Sequence, residues 1–206
     1  MQDASDFDSA VDILIGLDTD LRGVVEAFGR PEFWTRPNGF ETIVLFVLEQ
    51  QVSLASAAAT LKRLADTIGS VDPNTILETG EARIRSAGVT RQKSGYLIGL
   101  AEATARGELD FDRLAALDDD AVRRHLVALR GIGPWTADVY LLSCLRRPDI
   151  WPVGDRALQV GVAELLDLAD PPSPEMLGQI GDRWRPHRST AARLVWHRYL
   201  SVRGRG

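Results

Sequence analysis

Two short stretches carry residues whose types and spacing could do chemistry. The first is Asp155, which closes a loop holding two prolines and a glycine and stands before an amphipathic pattern running from Arg156 to Leu166. A carboxylate there can cap orphan N–H groups of the first helical turn. Those N–H groups and the helix dipole favour its ionised form, so the residue can equally serve as a stationed negative charge. The two roles are compatible. The second stretch is Leu129-Arg130-Gly131-Ile132-Gly133, a turn between two helical patterns, the latter starting at Pro134. Gly131 and Gly133 can take left-handed backbone or admit a close approach, and Pro134 suits a first helical turn because its missing N–H costs nothing there. Such a turn aims a row of main-chain N–H groups at the positive end of a helix, a surface that favours phosphate. A tight turn built only to pack two helices is the alternative.

Other chemistries are closed off. Cys144 is the only cysteine, which excludes an internal disulfide, a thiolate zinc site and a four-cysteine iron–sulfur cluster. It lies on an apolar helix and reads as a small core residue. His125, His187 and His197 have no metal-ligand spacing. Lysine is present only as Lys62 and Lys93. The net charge of −5 conceals an asymmetry: residues 1–120 hold 11 basic and 21 acidic side chains, whereas residues 121–206 hold 13 and 8. A one-sided phosphate footprint requires a basic half of that kind. No apolar run approaches the roughly 20 residues that span a bilayer, and the N-terminus has no leader pattern. No membrane association and a cytoplasmic location are therefore expected, nucleoid-associated in a bacterium.

The elements that must position these residues all read as helix; no run of alternating β-branched residues suggests a strand. The expected helices are Asp8–Gly16, Asp20–Phe28, Phe40–Glu49, Leu54–Ile68 with Ser53 as cap, a short one opened by Asp72-Pro73, Thr79–Ala87, and Arg91–Ala105 capped by Thr90. Residues 107–111 read as a loop. Asp118-Asp119-Asp120 reads as a cap rather than a metal site, opening a helix over Ala121–Leu129 that delivers the glycine turn. Beyond Asp155, helices are expected over Arg156–Leu166, Glu175–Trp184 and Ser189–Ser201. Gln50-Gln51, taken as structure, is a solvated turn; Trp151 and Trp184 are core residues; Asp138 is a helix-surface or locally hydrogen-bonded residue.

The glycine turn, Pro134-Trp135-Thr136-Ala137 after it, and the Gly/Pro loop closing on Asp155 together resemble the helix–hairpin–helix (HhH-GPD) DNA glycosylase superfamily. The likeness is to its alkyladenine branch, of the 3-methyladenine DNA glycosylase II type, in a compact form without the N-terminal β-domain of larger members. It extends through EQQVS around Gln51, SAGVTRQKSGYLIGLAEA and RWRPHRSTAARLVWHRY, covering about residues 30–200. The fold it implies is all-α, with two helical subdomains and an active-site cleft between them. Residues 1–206 would form a single glycosylase unit: a central bundle with a wedge turn over 40–125, the hairpin and Asp155 loop over 126–155, and a second helical subdomain from 1–39 with 156–206.

The resemblance also implies an activity, hydrolysis of the N-glycosidic bond of a flipped alkylated purine, to leave an abasic site. The substrates named by the branch are 3-methyladenine, 7-methylguanine, hypoxanthine and ethenoadenine. Asp155 matches the catalytic Asp, which stabilises an oxocarbenium-like sugar and orients the attacking water. Trp135 and Trp196 match pocket aromatics, and Tyr140 and Trp34 are candidate additions; an indole face attracts a cationic base by ~0.5–2 kcal/mol. The family often has an aromatic where Val139 stands. Gln51 matches the wedge that fills the gap left by the extruded base. Duplex DNA would be held by N–H groups from Gly131 and Gly133 to Thr136, aided by Arg130. No cofactor is required, and a Na⁺ or K⁺ would bridge the carbonyls of Val127, Leu129 and Ile132 to a phosphate when DNA is bound. In the bifunctional glycosylase-lyases a lysine stands two residues after the second hairpin glycine; here that position is Trp135, which implies no lyase step. A monomer acting on double-stranded DNA is the resulting expectation. A non-enzymatic hairpin module that only binds DNA, a glycosylase-lyase and an all-α protein-interaction domain are the competing readings.

Overall fold

The computed structural model describes residues 1–204. Among them there is helix and no strand, and no helix is long and apolar enough to cross a membrane. The chain divides into two compact units, Arg36–Tyr140 and Met1–Thr35 with Leu141–Gly206. The hairpin therefore belongs to the first of these and the Asp155 loop to the second.

In the Arg36–Tyr140 unit the hub is α3, Phe40–Glu49, the third helix along the chain, whose apolar residues are buried almost all round. That pattern marks a helix enclosed by others rather than laid on a surface. It packs against α4 (Leu54–Ile68) and α7 (Arg91–Ala105), which is also covered by α5 (Pro73–Thr79) and α6 (Glu81–Ser86). Ser53 caps α4 and Thr90 caps α7 through their hydroxyls, as the sequence implies. Gly80, at φ +77°, separates α5 from α6, so the second of the two helices expected here, over Thr79–Ala87, begins only at Glu81, and Thr79 closes the first. A helix absent from the sequence reading, α8 (Phe111–Ala116), follows the residue 107–111 loop. Asp110 nucleates it by accepting from the N–H groups of Asp112 and Arg113, but six residues are too few to show a helical period. Asp118 caps α9, Asp119–Val127, at 2.8 Å from the Ala121 N–H, so the acidic run is a cap.

In the other unit, α1 (Ala4–Leu17) and α2 (Thr19–Phe28) pack with α11 (Arg156–Leu165) and α13 (Arg188–Val202). α1 starts four residues earlier than its apolar pattern because Asp3 and Asp6 form a capping box. α12 (Pro174–Gly181) gives way to a 3₁₀ turn at Asp182–Trp184 where one continuous helix is expected. Trp151 and Trp184 meet edge to face at 5.1 Å and are buried. A Cβ at Gly181 would fall 2.5 Å from the Trp151 ring nitrogen, so a side chain there would displace the indole. Gly161 does the same service for the α11–α13 contact: its Cβ would lie 2.7 Å from Val195. α10 (Pro134–Ser143) runs through the division between the units. Cys144, just beyond it, is buried.

Candidate active site

The close approach of α11 and α13 sets the geometry at Asp155. Its Oδ1 accepts from the Leu158 N–H at 2.7 Å, capping α11, and from the indole N–H of Trp196 on α13 at 3.0 Å. The carboxylate is half-buried. The Asp155 N–H closes a turn onto the Pro152 carbonyl at 2.9 Å, and Gln159 bonds back to the Val153 carbonyl at 3.2 Å, so the loop is braced from both sides. The cap and the stationed charge are thus the same oxygen. The Trp196 ring also faces Trp34, with centroids 6.0 Å apart and planes inclined at 39°. This brings three of the expected site residues, Asp155, Trp196 and Trp34, into one contiguous line. Asp149, six residues earlier, is held by both nitrogens of an Arg188 fork at 2.8 and 2.9 Å and by Arg185 at 3.0 Å, which commits it to an ion-pair network.

The hairpin is built differently. The Ile132 N–H bonds the Leu129 carbonyl at 3.1 Å, and the Ala137 N–H bonds the Gly133 carbonyl at 3.1 Å, starting α10. Gly131 is left-handed at φ +94°, and a Cβ there would sit 2.4 Å from the Tyr96 ring. Glycine is required twice over. Gly133 is not left-handed, and a Cβ there would meet nothing within 4 Å. The fold does not need that glycine, which leaves its open side to an approaching group. Arg130 is exposed, with its guanidinium 5.9 Å from the Tyr96 centroid. Thr136 is buried. Trp135 is half-buried on the first turn of α10. Tyr140 is fully buried, and its hydroxyl donates to Asn38. Val127 is exposed.

Gln51 occupies the turn between α3 and α4 with left-handed backbone at φ +61°, and its side chain is exposed. The neighbouring Gln50, read from sequence only as part of a solvated turn, points the other way. Its amide donates to the Gly131 carbonyl at 2.8 Å and lies 3.5 Å from the Thr136 hydroxyl. Lys93 on α7 donates to the carbonyls of Leu48 and Gln50 at 2.8 and 2.9 Å, and burial lowers its pKa. Turn and hairpin are therefore one braced assembly. Asp138 corrects the sequence reading in part. It is buried rather than on the helix surface, and Arg123 on α9 donates to it at 2.7 Å, tying together the two helices that flank the hairpin. No sequence signal marked Gln50, Lys93, Tyr96 or Arg123, because each acts on a partner distant in the chain.

These arrangements can be set beside known proteins. Residues 44–186 match the family model described as HhH-GPD superfamily base excision DNA repair protein. The chain belongs to that family. A DNA-3-methyladenine glycosylase of Bacillus subtilis is 30% identical over 172 residues, covering 78% of this chain and 57% of that protein. The chain thus spans a little over half the length of this relative and of a second curated one from the same organism. Among solved structures, a DNA-3-methyladenine glycosidase from Bacillus halodurans aligns with a TM-score of 0.81 at 28% identity, covering 95% of this chain and 91% of that one. A 3-methyladenine DNA glycosylase of Schizosaccharomyces pombe in complex with abasic DNA aligns with a TM-score of 0.84 at 25% identity, covering 95% and 97%.

Proposed function

We propose that this protein is a monofunctional DNA glycosylase of base excision repair, which hydrolyses the N-glycosidic bond of a flipped alkylated purine. The observation that carries the reading is the Asp155 carboxylate, held at a helix mouth by a backbone N–H and by the Trp196 indole. A fixed negative charge is what an oxocarbenium-like sugar needs, and one already oriented by two donors requires little rearrangement as the cation develops. The same oxygen pair can orient the attacking water. Trp196 and Trp34 would be the base-facing aromatics beside Asp155, with Trp135 a further candidate; Tyr140, expected among them from the sequence, is fully buried against Asn38 and presents no face to a base. Damaged bases are cheapest to unstack, which supplies selection before chemistry.

Binding rests on hairpin N–H groups between Gly131 and Thr136, apart from that of Ile132, which is bonded to the Leu129 carbonyl, and the N–H that Pro134 lacks, with Arg130 as a charge nearby, and Gln51 fills the space vacated by the base. Contacts of this type read no sequence, as suits an enzyme that searches all DNA. A Na⁺ or K⁺ would be held by the carbonyls of Val127, Leu129 and Ile132 when DNA is bound. An all-oxygen donor set suits such an ion, and the turn bond from Ile132 leaves the Leu129 carbonyl a second lone pair. The reaction proceeds without a lysine nucleophile: Lys62 is bonded to Asp66 and Lys93 to two carbonyls. The protein would act as a monomer on duplex DNA in the cytoplasm, at the nucleoid in a bacterium.

Incubation with methylated duplex DNA should release free bases and leave alkali-labile sites. No release by the wild type, or undiminished release by Asp155→Asn, would overturn the assignment. Borohydride should trap no covalent protein–DNA adduct; a trapped adduct would point to a glycosylase-lyase.

A further inference from the structure

The line of residues that ends at Asp155 has an unexpected origin. Arg193 on α13 is 2% exposed, yet among the described residues no carboxylate pairs with it. Among the described residues its only hydrogen bond is to the Leu142 carbonyl at 3.1 Å, and its Nε and Nη1 have no partner there. What surrounds it is aromatic: the guanidinium lies 4.3 Å from the Trp34 ring centroid, 5.2 Å from Phe33 and 6.0 Å from Phe7. Trp34, at 37% exposed, is the most open of the three. Burial lowers the pKa of Arg193 to about 10, which leaves it charged at neutral pH.

An unpaired buried cation is costly, and a hydrophobic side chain of similar length would fill the space without the penalty. The aromatic faces offset part of that penalty, but among the described residues no carboxylate does. The position of Arg193 suggests what its charge serves: it sits behind Trp34, whose ring faces Trp196, whose N–H is bonded to Asp155.

We infer that Arg193 is a specificity-determining residue whose charge, set behind the Trp34 wall of the base pocket, favours release of electrically neutral lesions over cationic ones. The inference rests on the glycosylase reading given above. Hydrolysis breaks the C1′–N9 bond with its electron pair staying on the base, while water supplies the oxygen that bonds C1′. A hypoxanthine leaves with that pair as an anion and then takes up the proton lost by the water. A 7-methylguanine, cationic beforehand, leaves neutral, and the water's proton goes to solvent. A nearby positive charge in a low-dielectric wall stabilises the first departure and opposes binding of the cation in the second. Arg193 thereby offsets the attraction of the indole faces for cationic bases.

The test compares single-turnover release from duplexes carrying one hypoxanthine and duplexes carrying one 7-methylguanine, for the wild type, Arg193→Met and Arg193→Gln. The glutamine keeps a donor for the Leu142 carbonyl but no charge. Hypoxanthine release should fall about ten-fold in both variants, with 7-methylguanine release unchanged or faster, and with Tm unchanged or raised. Equal losses on both lesions, no change on either, or a marked fall in Tm or failure of both variants to fold would overturn the inference, since each makes Arg193 structural or inert. A wild type that releases neither base would instead refute the glycosylase reading itself.

Discussion

If the hairpin and the Asp155 line are the binding and catalytic sites proposed above, they hold polar groups for a ligand in opposite ways. At the hairpin the ready groups are backbone N–H atoms, and the side chains around them, Tyr96 and Gln50, serve to shape the turn. At Asp155 the ready group is a side chain, and the backbone serves as its clamp through the Leu158 N–H. The first site should therefore tolerate changes in the side chains around it, but not a change of backbone shape or a methyl group set on the approach to its N–H row. The second should tolerate neither loss of charge nor loss of its indole donor, while its fold remains intact.

The largest effect that would break this contrast lies at Asp155. Asparagine caps helices as well as aspartate does, so Asp155→Asn should keep its Tm and its DNA affinity while single-turnover excision falls roughly 10²–10³-fold. A large loss of stability would mean the residue is mainly a cap. The two hairpin glycines offer the next test. Gly131→Ala forces a methyl group into the Tyr96 ring from left-handed backbone, which should cost roughly 1–3 kcal/mol in urea unfolding. Gly133→Ala enters open space and should change stability by no more than about 0.5 kcal/mol, yet weaken duplex binding about ten-fold if a phosphate approaches there. At Trp196, phenylalanine keeps the ring but removes the donor to Asp155. A hydrogen bond to a charged group is worth about 1.5–3 kcal/mol, so Trp196→Phe should slow excision by about ten-fold or more without changing DNA affinity. Gln50→Ala should have the smallest effect. Losing one neutral hydrogen bond, of about 1 kcal/mol, should weaken duplex binding a few-fold through the loosened Gln51 turn, and leave the rate on saturating enzyme nearly intact.

The hairpin was the more legible of the two regions. A glycine turn between two helical patterns, with proline opening the second, is written in consecutive residues, and so are the caps at Ser53, Thr90 and Asp118. Where the sequence misleads, the reason is physical. Six residues cannot display a helical period, so α8 was invisible, and the positive φ of Gly80 moved the start of the helix expected from Thr79 to Glu81. At Gly133 the residue type allowed left-handed backbone or a close approach; the backbone is not left-handed, and no group of the chain itself comes within 4 Å of a Cβ there.

What consecutive residues determined was the all-helical character, the placement of the turn at 129–133 and of Asp155 at a helix mouth. These depend on periodicity, backbone freedom and capping, which act within a few residues. Only the packed molecule decided that Trp196 donates to Asp155, that Gln50 faces the hairpin while Gln51 faces outward, and that Arg193 lies behind Trp34. Each of these partnerships joins residues far apart in the chain, or distinguishes two identical neighbours by the side to which they turn. Such contacts are set by how helices cross, and no local pattern encodes the crossing.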